Sequence, residues 1–137
     1  MLRFIAAIGL VVLLVSGCDS PSTGKGVSLD RQFSLRIGER ASLAGEPLSI
    51  RFIGISGDSR CPTGATCIWQ GEVTAQLEIT YRQSVYEKVL LQPGLTTTPA
   101  AAGFNEYEIS FNVLPYPEVG KEIKKADYSL QLTIHKR

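Results

Sequence analysis

Four stretches of this chain alternate apolar and polar side chains with a period of two. In residues 32–37, Phe33, Leu35 and Ile37 share one side; in 72–82, Val73, Ala75, Leu77, Ile79 and Tyr81 oppose Thr74, Gln76, Glu78, Thr80 and Arg82. Tyr107, Ile109, Phe111 and Val113 repeat the pattern within 105–113, as do Tyr128, Leu130, Leu132 and Ile134 within 128–135. Such alternation marks strands with one buried face and one wet face. Residues 48–55 begin in phase with Leu48, Ile50 and Phe52, then slip to Ile53 and Ile55 beside Gly54. The slip predicts a bulge or sharp coil near Gly54. Residues 85–92 make a weaker strand. After the N-terminal segment no window holds a helical period, and 120–129 hosts at most one helical turn.

These strands, with turn clusters between them, predict an all-β fold: a single antiparallel β-sandwich, Ig-like, of about six to seven strands, with a small β-barrel as the alternative. Residues 93–103, PGLTTTPAAAG, read as a low-complexity, mobile loop. Residues 114–121, LPYPEVGK, read as a proline-fixed connection into the last strand.

The first residues are MLRFIAAIGLVVLLVSGC. Arg3 supplies a positive start, and Phe4 to Val15 form an apolar run too short to span a bilayer but suited to a signal peptide. Val15-Ser16-Gly17-Cys18 then resembles the lipobox of bacterial lipoproteins, in which the cysteine is acylated and becomes the mature N-terminus. The resemblance implies a signal peptide over 1–17, a lipid on Cys18 and a bilayer as the first partner. Several acyl chains hold a protein firmly, whereas one alone is marginal. Asp19 resembles the signal that retains such proteins at the periplasmic face of the inner membrane, with the outer membrane as the alternative. Residues 18–28 read as the lipidated cysteine and a flexible tether, and 29–137 as one domain with a modest core.

Charge narrows the partners. Loss of 1–17 removes Arg3 and no acid, leaving 13 basic and 13 acidic side chains. A neutral domain without a basic stripe argues against nucleic acid.

The densest chemistry lies in DSRCPTGATCIWQGE, residues 58–72. With Cys18 given to lipid, Cys61 and Cys67 are the remaining thiols, and an oxidising compartment favours their pairing. Pro62 and Gly64 let five intervening residues turn the chain. The spacing is not that of a Cys-x-x-Cys redox motif at a helix start. Metal binding would need a clustered ligand set, and only His135, on the wet side of the last strand, and scattered carboxylates accompany the sulfurs. One histidine near the terminus is also a poor base for a nucleophilic serine. We therefore expect no catalytic residues, no metal and no cofactor: not an enzyme.

Counting back by twos from Val73 through Gly71 places Trp69 on the core side beside the disulfide, with a partly exposed ligand platform as the alternative. Gly71 then either leaves room for the indole or takes a backbone conformation closed to other residues. Asp58 and Ser59 suit a turn. Arg60 either pairs with Asp58 or Glu72 to brace the loop, or is presented to an anionic partner. Asp58, Ser59, Arg60 and Trp69 make up the candidate binding loop.

Asp58-Ser59-Arg60-Cys61-Pro62 followed by Cys67-Ile68-Trp69-Gln70-Gly71 resembles a signature of small, uncharacterised bacterial lipoproteins, in which a residue such as alanine commonly stands at the place of Gln70. Leu114-Pro115-Tyr116-Pro117 and Asp127-Tyr128-x-Leu130 extend the resemblance over most of 30–136. It implies a lipid-anchored β-domain and no particular activity.

The first functional expectation is a non-enzymatic, lipid-anchored envelope domain that binds an envelope protein or glycan through its end loops, 56–70 and 93–104. The second is an inhibitor whose disulfide-stiffened loop enters the cleft of an envelope protease or hydrolase. The third is a small-molecule or metal carrier using Trp69 and the sulfurs.

Overall fold

The computed structural model describes residues 24–96 and 98–137. The signal peptide, Cys18, Asp19 and the first part of the tether lie outside the described residues. Nine strands are present among those described: β1 (Lys25–Val27), β2 (Phe33–Arg36), β3 (Arg40–Leu43), β4 (Leu48–Asp58), β5 (Glu72–Tyr81), β6 (Ser84–Pro93), β7 (Ala100–Phe104), β8 (Tyr107–Leu114) and β9 (Ser129–Lys136). They form two sheets, of order β1-β3-β4-β5-β6 and β2-β9-β8-β7. Neither closes on itself, so the fold is the sandwich and not the barrel.

The alternating side chains do what the pattern requires. Val73, Ala75, Leu77, Ile79 and Tyr81 of β5 face Tyr107, Ile109, Phe111 and Val113 of β8 and Leu130, Leu132 and Ile134 of β9 in one buried core. Apolar faces that cannot be covered by their own sheet are covered by the other. Gln92 ties the layers together. Its amide donates to Asn112 Oδ1 at 2.8 Å and its carbonyl oxygen accepts from Val113 N–H at 2.8 Å.

Several expectations need correction. The strand count exceeds six to seven because three short strands carry weak signals. Residues 25–27, read as tether, form β1 and pair in parallel with β3, Val27 opposite Leu43. Residues 40–43 form β3, with only Ala41 and Leu43 buried to announce it. Residues 100–104, read as mobile loop, form β7 and pair with β8, placing Ala100, Ala102 and Phe104 against the core. Small side chains beside glycine give too little hydrophobic contrast to show period two. The slip in β4 is a pair of register shifts, at Phe52/Gly54 and Ile55/Gly57. Gly54 takes the inward place there, and Ile53, expected inward, is 38% exposed.

Strand directions define two ends. β4 and β8 finish, and β5 and β9 begin, at a loop end that carries residues 59–71, 94–99 and 115–128. A single 3-10 turn, Lys125–Asp127, lies there, matching the expected helical turn. β1 runs parallel to β3 and antiparallel to β4, so its first residue, Lys25, lies on its loop-end side and the strand runs away from that end. The opposite end is closed by charged and hydroxyl groups. Tyr81 donates to Glu106 at 2.9 Å, Tyr107 donates to Glu46, and Lys136 pairs with Glu46 at 2.9 Å.

Candidate functional site

The loop after β4 begins as a continuation of the hairpin. Ser59 N–H donates to Glu72 O at 2.8 Å and Cys61 N–H to Gln70 O at 2.9 Å. Two glycines permit this close approach. Gly71 has φ +67, and a Cβ there would sit 1.8 Å from Ser59 O. A Cβ on Gly94 would sit 2.1 Å from Gln70 O, where the neighbouring loop crosses and Gly94 N–H donates to Gly71 O at 2.9 Å. Of the two roles considered for Gly71, the structure selects the backbone one.

Cys61 and Cys67 form a disulfide, with Cα atoms 5.9 Å apart. Cys61 is buried against the rest of the domain. The bond closes the tip, and Trp69 is not in the core. It is 77% exposed, and Ile68 beside it is 98% exposed. This overturns the expected core placement. Stepping back by twos fails at Gly71, whose positive φ breaks the extended phase, and β5 starts only at Glu72. The chain upstream of Gly71 therefore turns away from the sandwich.

Arg60 is the reverse case. Its side chain is 1% exposed, which removes the reading of an arginine presented to an anionic partner. Nε and Nη2 donate to the two carboxylate oxygens of Asp58 at 2.8 and 2.7 Å. Nη1 donates to Val113 O at 2.9 Å and Nη2 to Pro115 O at 3.0 Å. The guanidinium also stacks over Tyr116, 5.0 Å from the ring centroid. The planar fork of arginine suits this: it satisfies a carboxylate and two carbonyls from one buried position. Of its two expected partners, Asp58 is the one engaged. Glu72 instead contributes backbone, accepting from Ser59 Oγ at 3.1 Å and donating back to it at 3.2 Å.

Tyr128 completes the Asp58 environment by donating to Oδ2 at 3.0 Å. Burial raises the Asp58 pKa, but hydrogen bonds from Arg60, its positive charge and the Tyr128 hydroxyl outweigh this and hold the carboxyl below its ordinary range. Burial, and then the bond to Asp58, push the Tyr128 hydroxyl up to about 12. At neutral pH the cluster is a carboxylate, a guanidinium and a neutral phenol.

The other loops are fastened to the same block. Tyr116 donates to Cys61 O at 2.8 Å and accepts from Leu95 N–H at 3.0 Å. Thr63 N–H donates to Pro117 O at 2.9 Å, and Val119 N–H to Thr63 O at 3.1 Å. Leu95 and Val119 are mostly exposed, like the tip. The site is thus a braced platform: Asp58, Ser59 and Arg60 hold it from below, and Ile68, Trp69, Leu95 and Val119 face out. Ile68 and Leu95 fall within the expected end loops 56–70 and 93–104 but are not singled out by the sequence, and Val119 falls outside both. For Ile68 the available signal was an apolar Ile-Trp pair outside any alternating run.

The two sulfurs are joined to each other, and among the described residues no three His, Cys, Asp or Glu side chains gather. His135 lies at the opposite end, with Nδ1 2.6 Å from Asp30 Oδ1. No protein-family model matches the chain, and no curated protein or solved structure is similar to it.

Proposed function

We propose that this chain is a lipid-anchored, non-enzymatic domain of the bacterial cell envelope that meets an envelope component through its loop end. The observation that carries this reading is the exposure of Ile68 and Trp69, 98% and 77%, on a loop fixed by a disulfide and a buried arginine. Large apolar side chains exposed together mark contact surfaces. Here they protrude from a scaffold whose ordering cost is met in folding, which lowers the cost of binding. The anchor rests on the resemblance of Val15-Ser16-Gly17-Cys18 to a lipobox, and Asp19 points to the periplasmic face of the inner membrane. An isoleucine beside the ring favours an apolar partner surface over a glycan, whose hydroxyls need polar groups around a stacking platform.

The same stiffness supports a second reading, an inhibitory loop that enters the cleft of an envelope hydrolase. The carrier reading has lost its sulfurs to the disulfide.

A photoreactive residue at position 68, in the lipidated protein in native membranes, tests the proposal. Adducts at 68 and few or none at a control position, Arg82 on the far hairpin, are expected. Equal labelling at both positions would remove the loop end as the contact surface. An adduct with one hydrolase, with loss of its activity, would select the inhibitory reading.

A further inference from the structure

We infer that the tip formed by Ile68 and Trp69 seats in the lipid interface of the same membrane that holds the anchor, so that the sandwich stands on its loop end. The inference rests on the proposed lipidation of Cys18 and on the loop end as the contact surface. It names the bilayer as the occupant.

Chain direction and length carry the first part. β1 begins at Lys25, opposite Ala41, and runs away from the loop end, so Gly24 leads back toward that end. Arg40 pairs with Arg51, seven residues before Asp58, which is about 20 Å along β4. Five residues lie between Cys18 and Gly24, and the six residue steps from one to the other span at most about 20 Å. A lipid on Cys18 can therefore reach about the level of Asp58, but not far beyond it. The loop 59–71 projects further still. With the acyl chains in the membrane at that level, the tip meets the interface without any further movement of the domain.

The short tether would also reach the other end of the sandwich, and surface chemistry decides between the two. The far end presents Arg82, Glu106, Lys136 and Arg137, whose charges resist the hydrocarbon boundary, and its exposed apolar neighbours, Val85 at 62% and Tyr86 at 44%, stand out less than Ile68 and Trp69. The loop end presents Ile68, Trp69, Leu95 and Val119. Tryptophan is at home in the headgroup region, where its ring is buried and its N–H stays wet. Interfacial segments enter by about 5–10 Å, the depth of one loop tip. Lys121, Lys124 and Lys125 lie in the same end, interleaved with Glu118, Glu122 and Asp127. The end is thus close to neutral, and the attraction is apolar and not a demand for anionic lipid.

Trp69 is the only tryptophan, which makes the test direct. The full chain, processed in a lipidating bacterial host, is reconstituted into phosphatidylethanolamine–phosphatidylglycerol vesicles and floated on a density gradient. Flotation, a blue shift of emission relative to the unlipidated Cys18→Ser protein in solution, and quenching by lipids brominated near the headgroup end of the acyl chain are expected. Ile68→Asp, at a side chain that touches almost nothing, should reduce the shift and the quenching while flotation persists. Protein that floats but keeps water-like, unquenched emission overturns the inference and leaves the anchor standing. Protein that does not float overturns the anchor and the inference together. A shift that appears only with native membrane protein present overturns the bilayer in favour of a protein partner.

Discussion

The guanidinium of Arg60 and the carboxylate of Asp58 meet through two parallel hydrogen bonds, 2.8 and 2.7 Å, two residues apart in sequence and shielded from solvent. The pair stands at the junction of β4, β8 and the loops 59–71 and 115–128, because the same guanidinium reaches Val113 O and Pro115 O. An exposed ion pair of this kind would contribute little. A buried one is decisive in a different sense: each member leaves the other stranded if removed.

Arg60→Ala should therefore destabilise the domain by about 3–5 kcal/mol. It strips a buried carboxylate of its cation and two carbonyls of their donor. Arg60→Lys should recover part of that loss, since an ammonium restores the charge but not the fork. Urea denaturation midpoints of the two variants check the order. Equal stability of Arg60→Ala and the parent would refute the bracing role.

Removing the disulfide should cost less. Closing so short a ring removes about 2 kcal/mol of unfolded-state entropy, which corresponds to a melting midpoint lower by about 10 °C for a domain of this size. The Cys61→Ala/Cys67→Ala protein should keep its far-UV circular dichroism, because the core lies between the sheets and not at the tip. What it should lose is fixed presentation of Ile68 and Trp69, seen as faster amide hydrogen exchange confined to the loop 61–70.

Gly71→Ala meets two obstacles at once, a left-handed φ and a backbone oxygen 1.8 Å from the new Cβ. Strain at such a φ alone is worth about 1–3 kcal/mol, so a loss of at least about 2 kcal/mol is expected. Gly57→Ala places its Cβ in open space and should stay within about 0.5 kcal/mol of the parent. Thermal melts of the pair separate the effect of position from that of glycine as such.

Stability should fall at both extremes of pH, through the same cluster. The Asp58 pKa is lowered on folding, so its contribution is present above the ordinary aspartate value near 4 and is lost as pH falls through the lowered one. The Tyr128 pKa is raised to about 12, so its contribution holds below the ordinary tyrosine value near 10 and fades as pH climbs toward 12. Burial and the bond to Glu46 raise the Tyr107 pKa in the same direction at the other end. Denaturation midpoints against pH should thus show a shallower acid limb for Asp58→Asn and a partly reduced alkaline limb for Tyr128→Phe.

β6 is the outer strand of its sheet, and Val85, Val89 and Leu91 are more than half exposed on it. A groove of about 300 Å³ runs between Val89 and Ile53. A long apolar edge invites pairing between copies. Val89→Lys should lower light scattering at high protein concentration while leaving the unfolding free energy within about 0.5 kcal/mol of the parent. Unchanged scattering would mean that this edge is inert in self-association.

The sequence by itself determined the strands that carry the core. β5, β8 and β9 each bury every second side chain, and period two survives any arrangement of neighbours because it belongs to the pleat of a single strand. It also determined the bond between Cys61 and Cys67, given the choice of compartment. Three things were settled only when distant segments met. β1, β3 and β7 exist because a neighbour's backbone satisfies theirs, which a run such as AAAGF does not advertise. Arg60 went inside because Val113 and Pro115, more than fifty residues away, bring carbonyls to its fork. Trp69 went outside because one glycine at φ +67 ended the alternation that pointed it inward. A charged residue buried beneath a loop and an indole at the surface invert what hydrophobicity alone would assign, and here hydrogen-bond geometry and backbone sterics outweigh it.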